Sequence, residues 1–364
     1  MSVSYEKFDL KEVINASGRM TILGVSTVSE KVLEAQRFGG EHFFEMDELS
    51  RQVGAYLAKL LAVEDVQIVS SASAGIAQSI AAVIGKGDLK HLYHPYSEKI
   101  QKKEIILPKG HNVDYGTTVE LMVQQGGGQV IEAGYANMCT PEHIEMALTE
   151  NTAAILYIKS HHTVQKSMLS VAEAVQIAKK LGVPLIVDAA AEEDLLKYTK
   201  QGADLVIYSG AKAIEGPSAG MVIGKEPYVS WVRLQSKGIG RAMKIGKENI
   251  LGFAQAVEDY LAKESESGQE MKDRLQPFIE QLNQISGLNA SIVQDGAGRE
   301  IYRASVRISG GKTAHQVITE LKEKDPAIYT REYQANNGII EFDIRSVNQK
   351  EMKKIVARLN EIMQ

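Results

Sequence analysis

Two residues set the chemistry that this sequence can do. Lys212 lies in Ser209-Gly210-Ala211-Lys212-Ala213-Ile214-Glu215-Gly216-Pro217-Ser218-Ala219-Gly220. Upstream, Asp188 ends the apolar run Pro184-Leu185-Ile186-Val187-Asp188. An amine in a small-residue loop and an acid at a strand end suit pyridoxal 5′-phosphate. The amine forms a Schiff base with the aldehyde, and the carboxylate keeps the ring nitrogen protonated so that the ring takes up electrons. A desolvated lysine also becomes a usable base. Each residue has a plainer alternative: a solvated loop lysine, and an Asp capping a helix that starts near Ala191.

Other segments fit around this pair. Ser70-Ser71-Ala72-Ser73-Ala74-Gly75 follows an apolar run and opens a helical pattern. Its small residues and the helix start suit an anion, so Ser71, Ser73, Ala74 and Gly75 are expected at the cofactor phosphate. An ordinary serine cap is the alternative. Ser209 adds a hydroxyl beside Lys212. His111, after the run Glu104–Leu107, offers a flat ring to stack on the cofactor, or is a surface-loop histidine. His161 and His162 follow the run Thr152–Ile158, and adjacent side chains point apart, so at most one faces a site. Arg241 and Lys244, among glycines, suit a phosphate or carboxylate, or form a solvated basic loop. In the C-terminal part, Arg331 and Arg345 are candidates for a substrate carboxylate. No metal site is expected, because the histidines have no carboxylate at ligand spacing and there is no Cys cluster. Gly126-Gly127-Gly128 precedes a strand rather than opening a helix, which reads as a turn rather than a nucleotide loop.

The elements that must position these residues follow from periodicity. Strands are expected at Val66–Ser70, Glu104–Leu107, Gln129–Glu132, Thr152–Ile158, Pro184–Asp188, Leu205–Tyr208 and Ala219–Gly224, with helices between them. In Ser170–Leu181, for example, Val171, Ala174, Val175, Ala178 and Leu181 share one face. The alternation predicts an α/β protein with a mostly parallel sheet covered on both faces. In such sheets ligands bind beyond the carboxyl ends of the strands, where Asp188 and Lys212 both fall. The pattern predicts an N-terminal arm over 1–45, a large cofactor-binding domain over 46–250, and a linking helix with a small α+β domain over 251–364. One long helix is expected from Glu248 to about Ser286. Strands follow at Glu300–Ile308, Ala327–Tyr333 and Gly338–Ile344, with helices at Thr313–Glu323 and Gln349–Ile362.

Bulk properties narrow the class. The chain has 364 residues, 44% of them hydrophobic, enough for a full core. A net charge of −5 disfavours a nucleic-acid partner. The single cysteine, Cys139, excludes an internal disulfide framework and fits a reducing compartment. With no apolar leader in Met1–Lys11 and no long apolar span, a soluble cytoplasmic protein without a membrane partner is expected.

From about Lys109 to Leu251 the sequence resembles bacterial selenocysteine synthase and its shorter relatives, within the aspartate-aminotransferase-like (fold type I) pyridoxal-phosphate enzymes. Tyr208-Ser209-Gly210-Ala211-Lys212 with Gly216-Pro217-Ser218-Ala219-Gly220, and then Arg241-Ala242-Met243-Lys244, carry the resemblance. Ile14-Asn15-Ala16-Ser17-Gly18 resembles the family's opening motif. Two departures matter. The chain starts almost at that motif, where the selenocysteine synthases carry a tRNA-engaging domain. The segment Met20-Thr21-Ile22-Leu23-Gly24-Val25 replaces the family's His-Thr-Asn-Leu-Gly-Arg type run. Gly18-Arg19-Met20-Thr21 and Ser160-His161-His162 are more similar to the D-glucosaminate-6-phosphate ammonia-lyase branch. The resemblance implies a homodimer or larger homo-oligomer. It also implies a dehydrating α,β-elimination from a small hydroxy amino acid, such as a phosphorylated amino-sugar acid. The alternatives are a seryl-tRNA selenium transferase, an aldolase or racemase, and a pyridoxal-phosphate-binding protein without turnover.

Overall fold

A computed structural model describes residues 3–160, 162–262, 266–295 and 300–364. In chain order its strands are β1 (Val13–Ala16), β2 (Asp65–Val69), β3 (Glu104–Pro108), β4 (Gln129–Ala133), β5 (Thr152–Ile158), β6 (Leu185–Asp188), β7 (Leu205–Ser209), β8 (Gly220–Gly224), β9 (Leu288–Gln294), β10 (Tyr302–Ile308), β11 (Ala327–Thr330) and β12 (Ile339–Phe342). The chain forms two compact units, one of residues 28–262 and one of residues 1–27 with 263–364. The segment 1–45, expected as an arm, is therefore divided between them.

In the larger unit seven strands form one sheet in the order β2-β8-β7-β6-β5-β3-β4. The pairs from β4 through β3, β5 and β6 to β7 are parallel, and β8 is antiparallel to both β7 and β2. The strands are almost continuously apolar because both faces are covered. Alternate residues divide cleanly between two cores. Leu156, Ile186, Leu205, Ile207 and Val222 pack under helices Ala72–Gly85 and Glu226–Leu234. Tyr157, Leu185, Val187, Val206 and Tyr208 pack under helices Val171–Leu181 and Lys247–Ala262. A one-residue slip in any of these strands would exchange its two faces, so the register is firmly set. That register fixes which residues emerge at the carboxyl edge.

The smaller unit has a three-stranded antiparallel sheet, β12-β10-β9, and a parallel pair, β1-β11, that joins Val13–Ala16 to Ala327–Thr330. Helices Gly268–Leu282, Ala314–Glu323 and Gln349–Met363 supply apolar faces to its core. Within that core lies a charged chain. Arg303 bonds Asp295 at 2.8 Å and Asp343 at 3.0 Å, and Arg345 grips Asp343 with two bonds of 2.9 and 2.8 Å. Burial alone would raise the Asp343 carboxyl, but Arg345 and Arg303 outweigh it and hold it down at about 2. The opening motif is tied to the same place, since the Asp343 amide donates to the Ala16 carbonyl at 2.8 Å. The single helix expected over 248–286 is two helices, Lys247–Ala262 and Gly268–Leu282, the second begun by a Ser267/Glu270 capping box. Among the described residues no helix is long and apolar enough to cross a membrane.

Candidate active site

Asp188 and Lys212 leave neighbouring strands. Asp188 is the last residue of β6 and lies in register with Ile207 of β7. Two residues beyond Ile207, β7 ends at Ser209 and the Lys212 loop begins. The ladder continues past the strand ends, as the Ala189 amide donates to the Ile207 carbonyl at 2.9 Å and the Ser209 amide to the Ala190 carbonyl at 3.3 Å. Both exits are therefore held side by side. The Lys212 loop is closed by backbone bonds from Gly210 to Ala219 and from Gly216 to Gly210, each 2.8 Å.

Asp188 is buried and accepts a 3.0 Å bond from the amide of Ala190, two residues on. It caps no helix, because the next helix is Lys197–Gln201 and has no side-chain cap. Burial pushes the carboxyl up to about 6, against the lowering effects of the Lys212 charge and the Ala190 bond. A buried acid that feels a lysine cation yet still resists ionisation suits a cationic ring nitrogen as a further partner.

The helix Ala72–Gly85 starts over the same edge. A Cβ on Gly75 would stand 2.9 Å from Ile207 Cγ2, so this turn lies directly on the residue in register with Asp188. A Cβ on Gly220 would stand 3.0 Å from the Ser71 carbonyl carbon and 3.1 Å from the Ala72 nitrogen. Glycine at both positions lets the turn settle onto β7 and β8. Ser71 serves as the helix cap, its hydroxyl accepting from the Ala74 amide at 3.0 Å, while the Gly75 amide bonds the Ser71 carbonyl at 2.9 Å. Ala74 and Gly75 thus use their amides within the turn. The first helical amides, Ala72 and Ser73, have no acceptor inside the helix and can meet an anion. Lysine, acid and helix start together fit pyridoxal 5′-phosphate. Lys212 would hold its aldehyde carbon, Asp188 its ring nitrogen, and the Ser71–Ser73 turn its phosphate.

Other expected residues are placed differently. His111 is fully buried, its ring edge-on to Tyr157 at 4.6 Å between centroids, so it offers no open face for stacking. Burial lowers its imidazole to about 4, against a Val164 backbone bond that favours protonation. His161 lies outside the described residues, and His162 is exposed, its amide bonded to the Ser160 hydroxyl at 3.3 Å. Arg241 and Lys244 are exposed on a cavity of about 1210 Å³ beside the edge strand β2. Arg51, Gln67, Val69 and Gln78 share its walls, whereas Asp188 and Lys212 do not line it. Arg331 belongs to the smaller unit and already has a carboxylate, Glu341, at 3.6 Å. Arg345 is likewise bound to Asp343. Sequence reasoning missed Tyr115, whose hydroxyl lies 3.0 Å from the Ser73 hydroxyl. Among the described residues no group of three or more His, Cys, Asp or Glu is placed to hold a metal ion.

The family model for L-seryl-tRNA selenium transferase, SelA, matches residues 13–276. The chain is 44% identical over 363 residues to the D-glucosaminate-6-phosphate ammonia lyase of Salmonella typhimurium (strain 14028s / SGSC 2262), covering 98% of this chain and 97% of that one. It is 34% identical over 368 residues to a 5′-C-glycyluridine monooxygenase-decarboxylase from a Streptomyces species, covering 100% and 92%. A solved structure of D-glucosaminate-6-phosphate ammonia-lyase matches with a TM-score of 0.94 at 44% identity, covering 100% of this chain and 99% of that chain. At 13% identity and a TM-score of 0.51, Thermus thermophilus aspartate aminotransferase shares the fold alone, covering 98% and 93%. The architecture is fold type I, the cofactor is pyridoxal 5′-phosphate, and the chain belongs to the SelA family.

Proposed function

We propose that the chain is a dehydrating ammonia-lyase that converts D-glucosaminate 6-phosphate to 2-keto-3-deoxygluconate 6-phosphate and ammonia. The observation that carries this reading is the full-length match, in sequence and in fold, to D-glucosaminate-6-phosphate ammonia-lyase. When bound, the cofactor supplies an electron sink for the pair left at Cα after deprotonation. Lys212, with its amine free, would take the Cα proton. Asp188 would face the ring nitrogen, where a cationic partner would offset the burial that raises its carboxyl. The β-hydroxyl leaves as water, with its proton supplied by Lys212 or by one of His161 and His162. Lys212 would then take back its place and free the enamine, which gains a proton at carbon to become an imine. Water adds to the imine carbon and ammonia departs, so one water is lost and one regained. Arg241 and Lys244 are assigned to the phosphate end by their charge and exposure. Arg51 and Lys237 line the same cavity, as do Glu45, Asp47, Glu48 and Glu248, with Asp47 3.3 Å from Lys237. Arg331 is assigned to a substrate carboxylate, which would take the place of Glu341, now 3.6 Å away.

The test is release of ammonia and 2-keto acid from a panel of amino-sugar acids and hydroxy amino acids, each with and without a phosphate. D-glucosaminate 6-phosphate should turn over, and the unphosphorylated acid should lose most of the rate. The reading fails if no member of the panel releases ammonia while seryl-tRNA is bound in a salt-dependent gel shift. Oxygen uptake with carbon dioxide release would instead favour the chemistry named for the Streptomyces relative.

A further inference from the structure

Tyr115 is presented by a turn that holds itself together. The Tyr115 amide donates to the Thr117 carbonyl at 3.0 Å, and the Val119 amide to the Val113 carbonyl at 3.1 Å. The Gly116 amide donates to Asp114 Oδ1 at 2.7 Å. The turn therefore does not need the Tyr115 hydroxyl for its shape. Helix Ala72–Gly85 does not need the Ser73 hydroxyl either, because Ser71 alone caps it. The 3.0 Å bond between these two hydroxyls is surplus to the local demands of both elements. It joins residues far apart in sequence at the helix start that lies over Ile207, next to Asp188.

We propose that Tyr115 is a cofactor-positioning residue, which by holding the Ser73 hydroxyl fixes the phosphate seat at the start of helix Ala72–Gly85 beside Asp188. The phenol is suited to this. Burial raises its pKa, the Ser73 bond opposes that, and the negative charge of Asp188 raises it further, so at neutral pH it stays a protonated donor. Either hydroxyl of the pair can donate, and in the arrangement in which Tyr115 does, one Ser73 lone pair is occupied and its own proton is free to point at an anion. The proposal rests on the reading that Lys212, Asp188 and this helix start form the cofactor site.

The experiment titrates cofactor-free protein with pyridoxal 5′-phosphate and reads binding by absorbance and by quenching of intrinsic fluorescence. Tyr115→Phe keeps the ring and removes one hydrogen bond. It should weaken cofactor binding by about fivefold to tenfold while leaving the unfolding midpoint of the cofactor-free protein unchanged. Ser73→Ala should give a similar loss, and the double variant should lose little more than either single, because the two hydroxyls act as one unit. Unchanged binding in Tyr115→Phe, or losses that multiply in the double variant, would overturn the proposal. So would a lowered unfolding midpoint with unchanged binding, which is the mark of a structural bond. If the unaltered protein itself fails to bind the cofactor, the underlying assignment of the site fails instead.

Discussion

Asp188 is the residue whose protonation can be followed without the cofactor. In an unfolded chain its carboxyl titrates near 3.8, and in the folded protein burial moves it to about 6. The folded state therefore binds that proton more tightly, and stability falls as pH rises from about 3.8 through about 6 and stays lower above. Asp188→Asn in cofactor-free protein should abolish this decline and stabilise the fold at neutral pH by up to about 3 kcal/mol. Denaturant unfolding across that range checks it. An unchanged pH slope in the variant would show that Asp188 does not carry the burial cost assigned to it. The same substitution should weaken cofactor binding, because a neutral amide no longer balances a ring cation. Stability and binding then move in opposite directions, as at sites that hold strain for function.

At the scale of elements, the start of helix Ala72–Gly85 depends on close approach at Gly75. Gly75→Val would drive methyl groups into Ile207 and Val222. A loss of about 1–3 kcal/mol is expected, with weakened cofactor binding, read by thermal unfolding and cofactor titration. A fully stable variant with normal binding would mean that the turn does not rest on β7. The seven strands of the main sheet were legible in the sequence because each is a short apolar run between helices with clear periodicity. β1 was not, because its four residues find their partners at Ala327–Thr330, and so distant a pairing leaves no local pattern. β9 alternates apolar and polar residues, with Asn289 and Ser291 among them, and gives a weak signal. The break near Ala262 was legible in principle, since Ser267 and Glu270 spell a capping box. In the site, Asp188 and Lys212 stood out because strand ends position them. Tyr115 did not, because its partner Ser73 meets it only through the fold. His111 follows a strand, where a surface-loop histidine is the plain alternative to a stacking ring, and the structure buries it against Tyr157, which removes that alternative.

For the whole molecule, the larger unit leaves an apolar face on three of its helices. Phe38 is 51% exposed and Tyr56 46% exposed, and both line a hollow of about 390 Å³ with Val53, Leu251 and Ala254. A patch of this kind is costly to leave in water and suits a second copy of the chain. Sedimentation of the intact protein should give a dimer or larger, and Phe38→Glu should shift it toward monomer; a monomer in the unaltered protein would contradict the assignment of this face. The net charge of −5 likewise suits a small-molecule substrate better than a tRNA. Lys212, as the anchor of the cofactor and the base of the reaction, is central to the proposed function. The most direct measurement compares the absorbance of the unaltered protein and of Lys212→Ala after each is mixed with pyridoxal 5′-phosphate and freed of excess. The unaltered protein should be yellow and turn over D-glucosaminate 6-phosphate, while Lys212→Ala should show neither that absorbance nor turnover. Retention of the lysine-bound cofactor absorbance in Lys212→Ala would contradict the account.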